Sequence, residues 1–294
     1  MKNLFTGALA LMSVSFAFAQ ANLDVSTQLG NLNNATISQV GSLNENYLLQ
    51  QGNRNDATID QTGIGNYNEA YSIGNRNKIN VTQSGILNAN YTEQQGNRNE
   101  AVVDQWGLGN ESSQYQQGNR NFASVTQSGL FNYAEQTQLG NRNSATTDQL
   151  GVANESYQFQ DGNRNSALVA QAGWFNYAEQ SQVGNRNDAE AYQTGDFNTA
   201  LQTQTGNRNY AGVVQLGDGH TAIQTQVGND NTAVGMQIGT DNMIDQHQQG
   251  ANNFAYDTQL GSDNMITVQQ YGSSHAHVGL QVGASNTMSV YQSN

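Results

Sequence analysis

Four histidines, His220, His247, His275 and His277, fall near one another towards the end of the chain and raise the question of a metal centre. Cysteine is absent, which removes thiolate ligands and disulfides together. The histidine spacings make no tight ligand set. His220 and His275 also stand where equivalent stretches have asparagine, so they read as variants of a repeat, and no metal or cofactor is expected. Eight arginines, Arg54, Arg76, Arg98, Arg120, Arg142, Arg164, Arg186 and Arg208, recur at a fixed interval and offer different chemistry: a row of cations for a polyanion. No nucleophile motif or acid–base cluster accompanies them. A repetitive chain has few unique residues from which to build a catalytic site, so no enzyme is expected.

The elements that must hold these residues follow from composition and period. Met1 and Lys2 precede an apolar run from Leu4 to Phe18, and Ala17-Phe18-Ala19 has the small-residue form of a cleavage site, so residues 1–19 read as an export signal. The run is too short for a membrane span. Proline is absent, apolar residues are 36% and charged residues 11%. That composition cannot fill a conventional core, but the lack of proline suits a chain whose every N–H donates to a sheet.

Stepping by eleven from Gly30 to Gly283 lands on glycine at 24 consecutive positions. Gln stands two residues before each, Ser72 excepted, and Asn three residues after each, His220 and His275 excepted. A hendecad helix would carry a glycine and an asparagine in every repeat at a cost of roughly 1 kcal/mol or more. Eleven residues instead suit a strand of seven and a turn of four. GNRN opens at every second glycine from Gly52 to Gly206, while the alternate turns are GIGN, GILN, GLGN, GLFN, GVAN and GWFN, so the full unit is 22 residues. The expected fold is all-β: a two-sheet β-solenoid of about twelve strand-turn-strand-turn rungs, stacked as in cross-β, over residues 28–294. Residues 20–27 form a short segment before it. The motif loosens from about 217, where GNDN, GANN and GSSH replace GNRN.

Strand alternation separates an inner from an outer row. In the rung from Gly52 one row is Asn55, Ala57, Ile59 and Gln61, and the other is Asp56, Thr58, Asp60 and Thr62. Of 23 acids, only Asp257 falls in the first row of a repeat, with Asp24 ahead of the repeats; that row is therefore inside. Amides buried there are satisfied if each stacks on its own copy one rung away. Gly52, Gly63 and their equivalents serve turns that need φ > 0.

The pattern resembles the curlin repeat of bacterial curli. Gln50, Gly52, Asn55, Ala57 and Gln61 match its motif, as do Gln116, Gly118, Asn121, Ala123 and Gln127, with Gly63 and Asn66 opening the next repeat. Asn44 departs from it, standing where curlin repeats commonly have Ser, and the segment before the first repeat is shorter than in many curlins. The resemblance implies a major-subunit-like secreted β-solenoid that stacks end to end into extracellular amyloid fibres of a diderm bacterium, for biofilm matrix and adhesion. It also implies a nucleator subunit and an outer-membrane secretion pore as partners. A nucleator role for this chain, or a monomeric glycan- or ice-binding solenoid, are the alternatives.

Stacking lines the arginines along one edge, a candidate site for matrix polyanions. The other edge collects Ile64, Ile86, Leu87, Leu108, Leu130, Phe131, Val152, Trp174, Phe175 and Phe197, an apolar strip expected to promote bundling or adhesion. Net charge is −13, and −14 without Lys2, which opposes indiscriminate association. Asp56, Lys78 and Glu100 lie 22 apart and are expected to compensate one another. The last rungs, ending in Val290 to Asn294, carry no polar cap, so an open strand edge is expected there.

Overall fold

A computed structural model describes residues 21–294; the expected export signal, 1–19, lies outside the described residues. Twenty-five strands follow one another, from β1 (Leu23–Asn31), β2 (Asn34–Ser42), β3 (Glu45–Asn53) and β4 (Asp56–Ile64) to β24 (Ala276–Ala284) and β25 (Thr287–Ser293). Odd strands form a 13-stranded sheet and even strands a 12-stranded one. All neighbours are parallel and in register with the residue 22 further on, as in Asp56↔Lys78 and Glu45↔Tyr67. The chain is a β-solenoid with a 22-residue rung.

The strands are longer than the repeat suggested. Most have nine residues and the corners only two, because the column glycine and its successor stay in the ladder: Gly52 pairs with Gly74 and Asn53 with Asn75. Hydrogen bonding continues through the corner itself, where Arg76 N–H donates to Asn53 O at 2.9 Å. The ladder also starts earlier than the repeat count, at Leu23 rather than at 28. Asp24, which sequence spacing placed ahead of the repeats, is thus in register with the inward-facing Asn46.

Glycine is fixed at the corner by two causes at once. Gly52 has φ = 118°, and a Cβ there would lie 1.9 Å from Gly74 O, so the rungs can stack only without a side chain. Two residues on, the corner needs a left-handed residue, occupied by Arg54 at φ = 59° and by Phe131 at φ = 56°.

Inside, Ala57, Ile59, Ala123 and Val125 are completely buried. The apolar filling is discontinuous: one cluster runs from Leu48 to Val103, a second from Val169 to Ala222, a third from Ile244 to Val268. Between the first two the core is mixed, with Ala123, Val125, Ala134 and Ala145 interleaved with the buried polar Gln114, Gln136, Thr147, Ser156 and Gln158.

Candidate assembly surfaces: ladders, edges and ends

Glutamine forms the longest side-chain ladders. In the even sheet Gln39 Nε2 donates to Gln61 Oε1 at 2.7 Å, Gln61 to Gln83 at 2.9 Å, and the column continues through Gln127 to Gln281. In the odd sheet Gln28 donates to Gln50, and Gln94 to Gln116 to Gln138, onward to Gln292. Each amide also reaches across the core: Gln61 Nε2 donates to Glu45 O and Gln50 Nε2 to Asn34 O. Every glutamine column points its donors towards higher residue numbers, so these columns have a direction.

The asparagines work differently from stacked amides alone. Asn55 accepts on Oδ1 from the backbone N–H of Asn77 at 3.0 Å and donates from Nδ2 to Gly74 O at 3.0 Å; Asn121 does the same with Asn143 and Gly140. Asn66 adds a true amide–amide bond to Asn44 at 3.0 Å. Asparagine at this place locks the corner to the rung beyond it because its short amide reaches main chain on both sides.

His220 and His275 imitate that asparagine. His220 N–H donates to Asn198 Oδ1, its Nε2 lies 3.2 Å from Leu216 O, and its Nδ1 accepts from Asn242 N–H at 3.2 Å. The ring is therefore the neutral Nε2–H tautomer, and burial pushes its pKa below the ordinary value. Asp257, the one acid of a repeat's inner row, ends a second glutamine column: Gln246 Nε2 donates to it at 2.7 Å and His277 Nε2 meets its other oxygen at 2.9 Å. Burial raises its pKa despite both partners. Among the described residues no three His, Asp or Glu are grouped to hold a metal ion.

The arginine edge forms a groove of about 1130 Å³ along the turns from Asn31 and Leu32 to Asn185 and Arg186. Its floor is an asparagine ladder, Asn53 to Asn75 to Asn97, with bonds of 2.9 Å. Arg208 is drawn out of the row by Asp230, which takes Nε at 2.7 Å and Nη2 at 2.6 Å; the other seven have no carboxylate partner among the described residues. On the opposite edge Leu87, Phe131, Trp174, Phe175 and Phe197 are exposed, and the last two phenylalanines stack with centroids 5.3 Å apart. Ile64, Ile86 and Leu130 are exposed too, whereas Leu108 and Val152 are half-buried. The expected charge column is only half formed: Lys78 pairs with Glu100 at 3.0 Å, while Asp56 accepts from Asn34 Nδ2 instead.

One surface was not foreseen. The outer face of the odd sheet carries tyrosines bonded to glutamates two residues along, Tyr67 to Glu69 and Tyr91 to Glu93 at 2.7 Å and Tyr177 to Glu179 at 2.9 Å. Burial and these carboxylates raise the tyrosine pKa values. Tyr-x-Glu, recurring in the sequence, was the available signal. Trp106 and Leu150 also stand exposed, on the even sheet, in the column just before the glycines.

Both ends of the ladder are open among the described residues. Gln28 and Gln39 present Oε1 at one end, Gln281 and Gln292 Nε2 at the other.

Residues 52–85, 140–173 and 239–272 of this solenoid match the family model of the curlin associated repeat. The chain carries curlin repeats. Each match begins at one column glycine, Gly52, Gly140 or Gly239, and ends at another three corners on, so the matches keep the phase of the eleven-residue strand-and-corner unit. A search of the curated proteins gives no match. The curlin repeat and the solenoid that carries it are structural in kind and suggest a curli-type subunit.

Proposed function

We propose that this chain is a secreted structural subunit, of the bulk kind, that polymerises end to end into extracellular curli-type fibres serving matrix and adhesion. The observation that carries the reading is the directional glutamine ladder, which among the described residues ends in acceptors on one side and donors on the other. A strand edge of this kind is an aggregation hazard in a monomer and a docking site in a fibre. Export through an outer-membrane pore and initiation by a separate nucleator belong to the same reading. The test is to incubate the purified exported chain, beginning at Gln20, at micromolar concentration and follow thioflavin T and electron microscopy. A lag shortened by preformed fibres is expected of a bulk subunit; lag-free assembly that seeds other chains would indicate the nucleator instead.

The seven arginines that have no carboxylate partner among the described residues support a second property, binding of matrix polyanions along the groove. Replacing all eight arginines by glutamine should abolish retention on a sulfated polysaccharide, and the wild-type retention should fall with salt. Unchanged retention would remove the idea.

A further inference from the structure

The two sheets are unequal, thirteen strands against twelve, and that inequality constrains how one copy meets the next. Beyond β25 the solenoid path enters the even sheet, whose last described strand is β24. If a second copy kept the same orientation, its β1 would fall on β25 in the odd sheet and leave one strand missing between β24 and its β2. A half-turn about the long axis removes the gap. The solenoid tolerates this because its two sheets are built alike, each glutamine reaching the carbonyl sixteen residues back at 3.0 Å in one sheet and 2.9 Å in the other.

We propose, on the reading that the chain forms end-to-end fibres, that successive copies are related by a half-turn, with β1 of one copy on β24 of its neighbour and β2 on β25. The residues at the two ends fit this pairing and not the unrotated one. In register, Asp24 meets His277, Ser26 meets Gly279 and Gln28 meets Gln281, whose Nε2 then has an Oε1 to donate to. On the other sheet Ala35 meets Met288, Ile37 meets Val290 and Gln39 meets Gln292. These four apolar residues are half-buried fringes of the first and third core clusters, so the half-turn makes one core of them.

Without the half-turn, Asp24 would stack on Met288 and Ser26 on Val290, placing a carboxylate and a hydroxyl against apolar side chains. Asp24 is held ready by Ser26 Oγ and Asn46 Nδ2, each 2.7 Å from its Oδ1. His277 has one ring nitrogen on Asp257 and the other without a partner among the described residues. His275 repeats the pose of His220, with Nε2 3.0 Å from Tyr271 O, so its Nδ1 is placed to accept from Asn22 N–H of the next copy as His220 accepts from Asn242.

Each copy then advances the fibre by about 60 Å, twenty-five half-spacings of the strand ladder. The arginine groove and the apolar strip exchange sides at every junction.

The chain has no cysteine, so paired substitutions report the junction cleanly. Val25→Cys with Val278→Cys, and Thr36→Cys with Ser289→Cys, place thiols on outward-facing, directly opposed positions only in the rotated junction. Val25→Cys with Ser289→Cys does so only in the unrotated one. Strand neighbours lie within disulfide reach. Fibres of each variant are oxidised, dissolved in formic acid and run without reductant. Covalent multimers from the first two pairs and monomer from the third are expected. Multimers from the third pair, or from none, would overturn the half-turn. If wild-type chain makes no fibres by electron microscopy, the underlying reading has failed instead. Should a variant not assemble while wild type does, helical reconstruction of wild-type fibres decides: an unbroken even sheet across the junction supports the half-turn, and a one-strand gap overturns it.

Discussion

Ser72 leaves Gln94 Oε1 buried without a donor, because serine is too short to continue the glutamine column it interrupts; its own Oγ is unsatisfied as well. Gln50, one rung before, donates only to Asn34 O where its counterpart Gln61 also reaches the next glutamine. Ser72→Gln should therefore stabilise the rung by about 1 kcal/mol, the net worth of a hydrogen bond plus relief of a buried unpaired group. The converse change, Gln116→Ser, strands partners on both sides and should cost about 1–3 kcal/mol. Guanidinium midpoints of fibre dissolution, compared with wild type, measure both.

Glycine columns should be far less tolerant than corner glycines. At Gly118 a methyl group would sit 1.8 Å from Gly140 O, main chain that cannot yield, so Gly118→Ala should separate two rungs and cost several times ~1 kcal/mol. At Gly65 the same methyl meets only the Leu87 side chain at 2.9 Å, and neighbouring corners already hold Leu87 and Phe131 in the left-handed region. Gly65→Asn should assemble almost normally. Equal loss of assembly rate in the two variants would contradict this account of the corner.

His220 makes the late rungs acid-sensitive. Its Nδ1 accepts from Asn242 N–H, so protonation sets two donors against each other, and burial holds the folded-state pKa below its unfolded value. Stability from the neutral ring is complete above an unfolded pKa of about 6.5 and declines as pH falls through the lower folded value. Asp218 and Asp241 oppose the depression without reversing it. The protection of the Asn242 amide, the intrinsic exchange rate over the observed one at the same pH, should fall below about pH 6, where unfolded histidine is protonated, and His220→Asn should abolish that fall.

The apolar edge is expected to govern bundling rather than growth. Replacing Phe131, Phe175 and Phe197 with asparagine, which accepts the left-handed conformation, removes exposed aromatic surface without loading the backbone. Electron micrographs should show single fibres in place of bundles at an unchanged elongation rate.

The rung, the inward row and the chemical difference between the edges were legible because glycine, asparagine and glutamine recur without a single insertion. What was not legible depends on contacts between rungs. Seven-residue strands were expected since glycine ordinarily ends a strand; here Gly52 pairs with Gly74 and the ladder passes through the corner. Asp24 falls ahead of the repeats in the sequence because no glycine or glutamine precedes it at the repeat spacing, yet pairing to Asn46 depends on main chain and needs neither. Asp56, Lys78 and Glu100 do stack on successive rungs, but the Lys78 ammonium turns to Glu100, and Asp56 accepts from Asn34 Nδ2 on its other side. The tyrosine–glutamate face is hard to read from sequence because its residues vary from rung to rung while the amides do not.

The central claim is that open, directional amide ladders make this chain a fibre subunit. X-ray diffraction from aligned assemblies of the purified exported chain tests it most directly. The account predicts thioflavin-positive fibres with a meridional reflection near 4.8 Å and an equatorial one near 10 Å. A chain that stays monomeric, dye-negative and free of fibres at micromolar concentration would contradict it.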